Sequence, residues 1–160
     1  MSNFDRMEKS FLAVALVQNM HNGRTRWLLN QSSGESKREL NFIVGERLEQ
    51  ESFRESVTRE VAWQLGLDRN RDFIVSNMAQ LSVEFVEIDS EAGEERHIAL
   101  AFYSVHVGKR NILDAIDEVP STTWVSAAKI CAGVTSEGKP IQSDVVEWIN
   151  KYEVVRPWQV

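Results

Sequence analysis

Residues 52–67, SFRESVTREVAWQLGL, leave little freedom in how they fold. Phe53, Val57, Val61 and Leu65 recur every four residues, which puts them on one face of a helix rather than on one side of a strand. Ser52, followed three residues later by Glu55, is a capping-box pattern: the hydroxyl accepts from the Glu55 amide while the carboxylate reaches back to the Ser52 N–H. Gly66 follows the last periodic position and can take the left-handed conformation that ends a helix. The pattern therefore predicts a helix over 53–65.

Around this helix the pattern is mostly that of strands. SFLAVALVQ (10–18) is a continuous apolar run, and the Asn-Gly of HNGR behind it predicts a hairpin into TRWLLNQ. SSGESKR (32–38) reads as loop, and ELNFIVG (39–45) resumes strand character. Beyond the helix, 72–88 and 96–107 read as two strands of a half-exposed hairpin around the acidic turn DSEAGEE. STTWVSAAKI (121–130) reads as a short strand entering a short helix capped by Ser126. DVVEWINKYE (144–153) places Val145, Val146, Trp148, Ile149 and Tyr152 on the apolar face of a terminal helix.

A chain of 160 residues suits one domain, 1–160, and its 42% apolar and 26% charged composition is that of an ordinary folded protein. No apolar run approaches the roughly 18 residues of a membrane span, and MSNFDRMEKS lacks the layout of a signal peptide, so a cytoplasmic location without membrane contact is expected. A net charge of −6 argues against a broad nucleic-acid surface, although a few cations and backbone N–H groups suffice for one pyrophosphate. Cys131 has no neighbouring His or cation in sequence and reads as a buried small hydrophobe. His21, His97 and His106 lack metal-ligand spacing and read as satisfied structural residues, while Trp27, Trp124 and Trp148 read as core.

The helix and its approach, GERLEQESFRESVTREVAWQLGL (45–67), resemble the Nudix box, G-x5-E-x7-R-E-U-x-E-E-x-G-U, where U is a bulky aliphatic residue. Gly45, Glu51, Arg59, Glu60, Val61, Gly66 and Leu67 match; Trp63 and Gln64 stand where the pattern has adjacent glutamates. The resemblance implies a single-domain α/β/α sandwich with a mixed β-sheet and allows a homodimer. It also implies cleavage of a pyrophosphate bond in nucleoside diphosphate derivatives, with Mg²⁺ or Mn²⁺ held by helix glutamates. Such a cation wants hard oxygen ligands, and it clamps the diphosphate while neutralising charge as the bond breaks.

Here the box is degenerate. Side-chain charge at positions 60, 63 and 64 falls from minus three to minus one, because Trp63 has only an N–H donor and Gln64 a neutral amide. Losing one such contact weakens transition-state stabilisation by about 3 kcal/mol, on the order of a hundredfold. A single glycine, Gly45, followed by the acidic Glu46, replaces the P-G-G turn frequent before the box. By resemblance Arg59 pairs with Glu51 and holds the loop against the helix, the plainer alternative being a weak surface ion pair. Trp63 would face the ligand cleft, either stacking on a base or plugging the emptied site.

Two functions follow. In the first, the protein is inactive or weakly active and binds a nucleotide-like diphosphate ligand or a protein partner through a cleft containing Gly45, Glu51, Arg59, Trp63 and Gln64. In the second, it is an active metal-dependent pyrophosphohydrolase. Glu60, with Gln64 in support, would then hold Mg²⁺ or Mn²⁺ together with a carboxylate from outside the box, such as Asp89, Glu91, Glu94 or Glu95. The first reading needs no metal cofactor.

Overall fold

The computed structural model describes residues 9–31, 39–88 and 93–160. The loop expected at 32–38, and Asp89 and Glu91 of the acidic turn, lie outside the described residues. Among the described residues one mixed sheet of eight strands runs β3-β2-β1-β7-β5, with β4 also paired to β1, β6 to β7 and β8 to β2.

The long apolar run forms β1 (Lys9–His21), which turns through Asn22 and Gly23, both at positive φ, into β2 (Arg24–Gln31). The predicted 39–45 strand divides into β3 (Leu40–Asn41), paired with β2, and β4 (Ile43–Glu46), paired with β1. The division follows from β1, whose edge takes β2 along Gln18–His21 and β4 along Leu12–Ala15. Helix α1 (Phe53–Leu65) has the predicted bounds and caps: the Glu55 amide donates to Ser52 Oγ at 3.1 Å and the Ser52 amide to Glu55 Oε1 at 3.4 Å. Gly66 is left-handed and its N–H donates to the Ala62 carbonyl.

The stretch read as one strand over 72–88 is interrupted. It makes the two-residue β5 (Ile74–Val75) and then β6 (Leu81–Ile88), both antiparallel to β7 (Glu95–His106). Between them the Ser76 hydroxyl donates to the Met78 carbonyl at 2.9 Å, a local bond that turns the chain out of the ladder. Helix α2 (Arg110–Asp117), which the sequence reading passed over, precedes β8 (Thr122–Val125). The chain ends in α3 (Ala127–Ala132), capped by Ser126, and α4 (Ser143–Lys151), capped by the Gln142 side chain.

β1 and β7 run parallel in register from Lys9↔His97 to Gln18↔His106. Both strands are covered on two faces, which is why they read as continuous apolar runs. Val14 and Leu16 face a core shared with Trp27, Phe102, Ile130, Trp148 and Ile149, beneath α3 and α4. Ala13, Ala15 and Val17 face the opposite core, with Val57, Val61 and Leu65 of α1 and Ile112 and Ile116 of α2. The molecule is thus the expected α/β/α sandwich with a mixed sheet. Trp27 and Trp148 are core; Trp124 is half-buried and donates its indole N–H to Asp117 at 3.1 Å.

Candidate functional site

The box residues gather where β4 meets α1. A Cβ on Gly45 would lie 2.9 Å from the Ser56 carbonyl oxygen and 3.1 Å from Glu60 Cγ, so β4 rests directly on the helix only because this residue has no side chain. Ser56 is fully buried at that contact, and its hydroxyl donates to Glu51 Oε1 at 2.7 Å. Arg59 grips Glu51 with two N–H groups, at 2.9 Å to Oε2 and 3.1 Å to Oε1. The same guanidinium donates to the Glu46 carbonyl at 3.0 Å, tying strand, loop and helix together. The Arg59 bonds hold the Glu51 carboxyl well below its ordinary value, at about 2, with the Ser56 hydroxyl and the Leu48 amide adding to the effect. Arg59 is itself shifted upward by Glu51. The holding role is the observed one, since a fork of this geometry with little solvent at Glu51 exceeds an isolated surface pair.

Glu60 is enclosed in the same network. Its Oε1 accepts from Arg59 Nη1 at 2.7 Å and its Oε2 from Gln64 Nε2 at 2.9 Å. Gln64 Oε1 in turn accepts from Asn30 Nδ2 of β2 at 3.0 Å. A carboxylate only accepts, so the Gln64 amide must turn its NH₂ to Glu60 and its oxygen to Asn30. The directions of the whole chain follow from Glu60.

Trp63 does not plug a hole. It is 80% exposed and stands as a ridge between two cavities. One, of about 610 Å³, is bordered by Arg59, Glu60, Ala62, Leu67 and Arg69. The other, of about 410 Å³, is bordered by Asn30, Gln31, Asn41, Phe42, Val44 and Gln64.

Known structures share this architecture. NrtR of Shewanella oneidensis in complex with a 27mer DNA superposes with a TM-score of 0.62 at 16% identity, over 88% of this chain and 59% of that one. The NUDIX domain of the same NrtR, in complex with ADP ribose, gives 0.58 at 15% identity over 96% and 92%. Ap4A hydrolase of C. elegans gives 0.56 at 9% identity over 92% and 98%. The chain has the Nudix fold. It spans 59% of the length of the DNA-bound NrtR chain. No family sequence model and no curated protein matches it.

The glutamate positions of this Nudix fold do not fit a hard divalent cation. Mg²⁺ takes a near-octahedral shell of oxygens. Glu60 has both oxygens engaged, the Gln64 oxygen is directed at Asn30, and Trp63 offers only an N–H. Among the described residues, no group of three or more His, Cys, Asp or Glu side chains could hold a metal ion. Glu94 and Glu95 do not reach this face. Gly45 sits opposite Ala13 and Ala13 opposite Ala101, whereas Glu95 begins β7 six residues before Ala101, about 20 Å along the strand.

Of the remaining candidates, Cys131 is half-buried and donates to the Val155 carbonyl at 3.2 Å, burial pushing its thiol upward. His97, expected to be satisfied, has a buried Nε2 without a hydrogen-bond partner. Sequence reasoning missed Ser56, Asn30, Asn41 and Arg69. Ser56 was detectable as a polar residue one position before the apolar Val57 of the buried stripe. The other three lie outside the box, on strands and a turn that carry no motif.

Proposed function

We propose that this Nudix-fold chain binds a nucleotide-like diphosphate ligand and lacks the metal-dependent route for hydrolysing it. One observation carries the reading: the remaining box glutamate is held by Arg59 and Gln64 at 2.7 and 2.9 Å, so a cation would have to share the one carboxylate left with a guanidinium. A single carboxylate held in this way does not offset the dehydration of Mg²⁺, which wants a near-octahedral shell of oxygens. The ADP-ribose complex of the NrtR domain supports a nucleotide derivative as the class of ligand. Gly45, Glu51 and Arg59 serve in this reading as the frame that keeps α1 against the sheet, and Trp63 and Gln64 belong to the ligand cleft.

Calorimetric titration with Mn²⁺ and an assay of pooled nucleoside diphosphate derivatives test the proposal. The expected result is binding of a pool member without a saturable Mn²⁺ heat and without phosphate-bearing products. Metal-dependent turnover at the rates of proteins with all the box glutamates would overturn it in favour of a hydrolase using Mg²⁺ or Mn²⁺.

A further inference from the structure

We propose that the cleft between β2, β3 and α1 takes an uncharged, flat heterocycle bearing an exocyclic amine, stacked on the Trp63 indole, at the place where the box pattern would put a cation and its pyrophosphate. This deepens the proposed function and rests on it.

Charge is the first ground. The residues bordering the 410 Å³ cleft, Asn30, Gln31, Asn41, Phe42, Val44, Trp63 and Gln64, are all neutral. Among the described residues a pyrophosphate there would face no cation and would lie beside the Glu60–Gln64 pair, which leaves its desolvation uncompensated by them. A neutral ring meets no such penalty.

The second ground is the indole. Trp63 is 80% exposed on a helix whose apolar stripe lies on another face, so it contributes little to the core. A large exposed ring at the edge of a cavity is a stacking platform, and every heterocyclic base has a face to offer it.

The third ground is polarity. The direction imposed by Glu60 spends the Asn30 NH₂ on Gln64 and leaves Asn30 Oδ1 buried without a partner. Asn41, opposite Asn30 across the β2–β3 pair, also has a buried Oδ1 without a partner. Both Asn residues border one cleft with their oxygens turned from solvent, and an unpaired acceptor incurs a desolvation penalty that a donor would relieve. The terminal torsion of Asn is soft, so the Asn41 carboxamide can turn its oxygen to the cleft at little cost. What is wanted there is a donor, which an exocyclic amine supplies and a carbonyl does not. On the far side of Trp63, Arg69 is exposed and makes no ion pair among the described residues, in position for an anionic group attached to the ring.

Calorimetry on the full chain with two nucleoside pairs, adenosine against inosine and cytidine against uridine, tests this, with inorganic pyrophosphate as competitor and ADP and CDP as diphosphate-bearing probes. In each pair the first carries an amine where the second carries a carbonyl. We expect an amine-bearing nucleoside to bind at least about tenfold tighter than its counterpart, and pyrophosphate not to displace it. Trp63→Ala should weaken it at least about tenfold with an unchanged melting temperature, while Trp63→Phe, which keeps a ring, stays within a few-fold of the parent. Equal binding by Trp63→Ala, equal binding within both pairs, or displacement by pyrophosphate would overturn the inference. If ADP or CDP binds and no nucleoside does, the stacked ring is refuted while the proposed function stands. If neither the nucleosides nor the diphosphates bind, both fall.

Discussion

Arg59 and Glu51 form the best-defined pair in the site, and it is the pair that the resemblance to the Nudix box implies. Replacing Glu51 by Gln removes the negative partner of a bidentate guanidinium and should cost about 2 kcal/mol in urea unfolding. The pair also has a pH signature. Its carboxyl titrates at about 2 when folded against an ordinary 4.5, so the unfolded chain binds the proton more readily in between. Stability from Glu51 is therefore complete above about 4.5 and is lost as pH falls toward 2. Allowing for solvent at Arg59, which is 27% exposed, the loss is on the order of 1–2 kcal/mol. Acid unfolding of the Glu51→Gln variant should lack that part of the slope. The further bond from Arg59 to the Glu46 carbonyl was not legible, because it depends on where β4 lies relative to the helix.

At the scale of the element, α1 was fully legible: caps, stripe and stop are local, each within four residues of its partner. Its seat on the sheet was not. Gly45 matched a motif position, but its physical purpose, leaving room for the Ser56 carbonyl at 2.9 Å from where a Cβ would stand, appears only in three dimensions. Gly45→Ala must shift backbone against backbone and should cost about 1–3 kcal/mol, measurable as a lowered urea midpoint at unchanged slope. The division of 39–45 into β3 and β4 has the same origin, since residues of uniform strand character were shared between two partners already fixed along β1 and β2.

For the molecule as a whole, two cores lie on opposite faces of the sheet, and each is closed by helices from different parts of the chain. The terminal helix α4 closes one of them with Val145, Trp148 and Ile149, and Trp148 also donates its indole N–H to Glu87 of β6 at 2.7 Å. Trp148→Ala should thus destabilise the entire fold by about 3–5 kcal/mol, read as a single shifted transition in thermal or urea melts. A shift confined to α4, with the sheet's transition unmoved, would mean that this face is not part of one cooperative core.

Period, caps and turn residues in the chain already specified the helix of the box, the Asn-Gly hairpin and the covered central strands, because each is a matter of neighbours along the backbone. Packing alone established that Gln64 is bound to Asn30, that Trp63 stands between two cavities, and that Asn30 and Asn41 share one cleft. Gln64 and Asn30 come from different elements, as do the residues around each cavity, and a hydrogen bond or a cavity between such residues exists only once the sheet has brought them within a few ångströms.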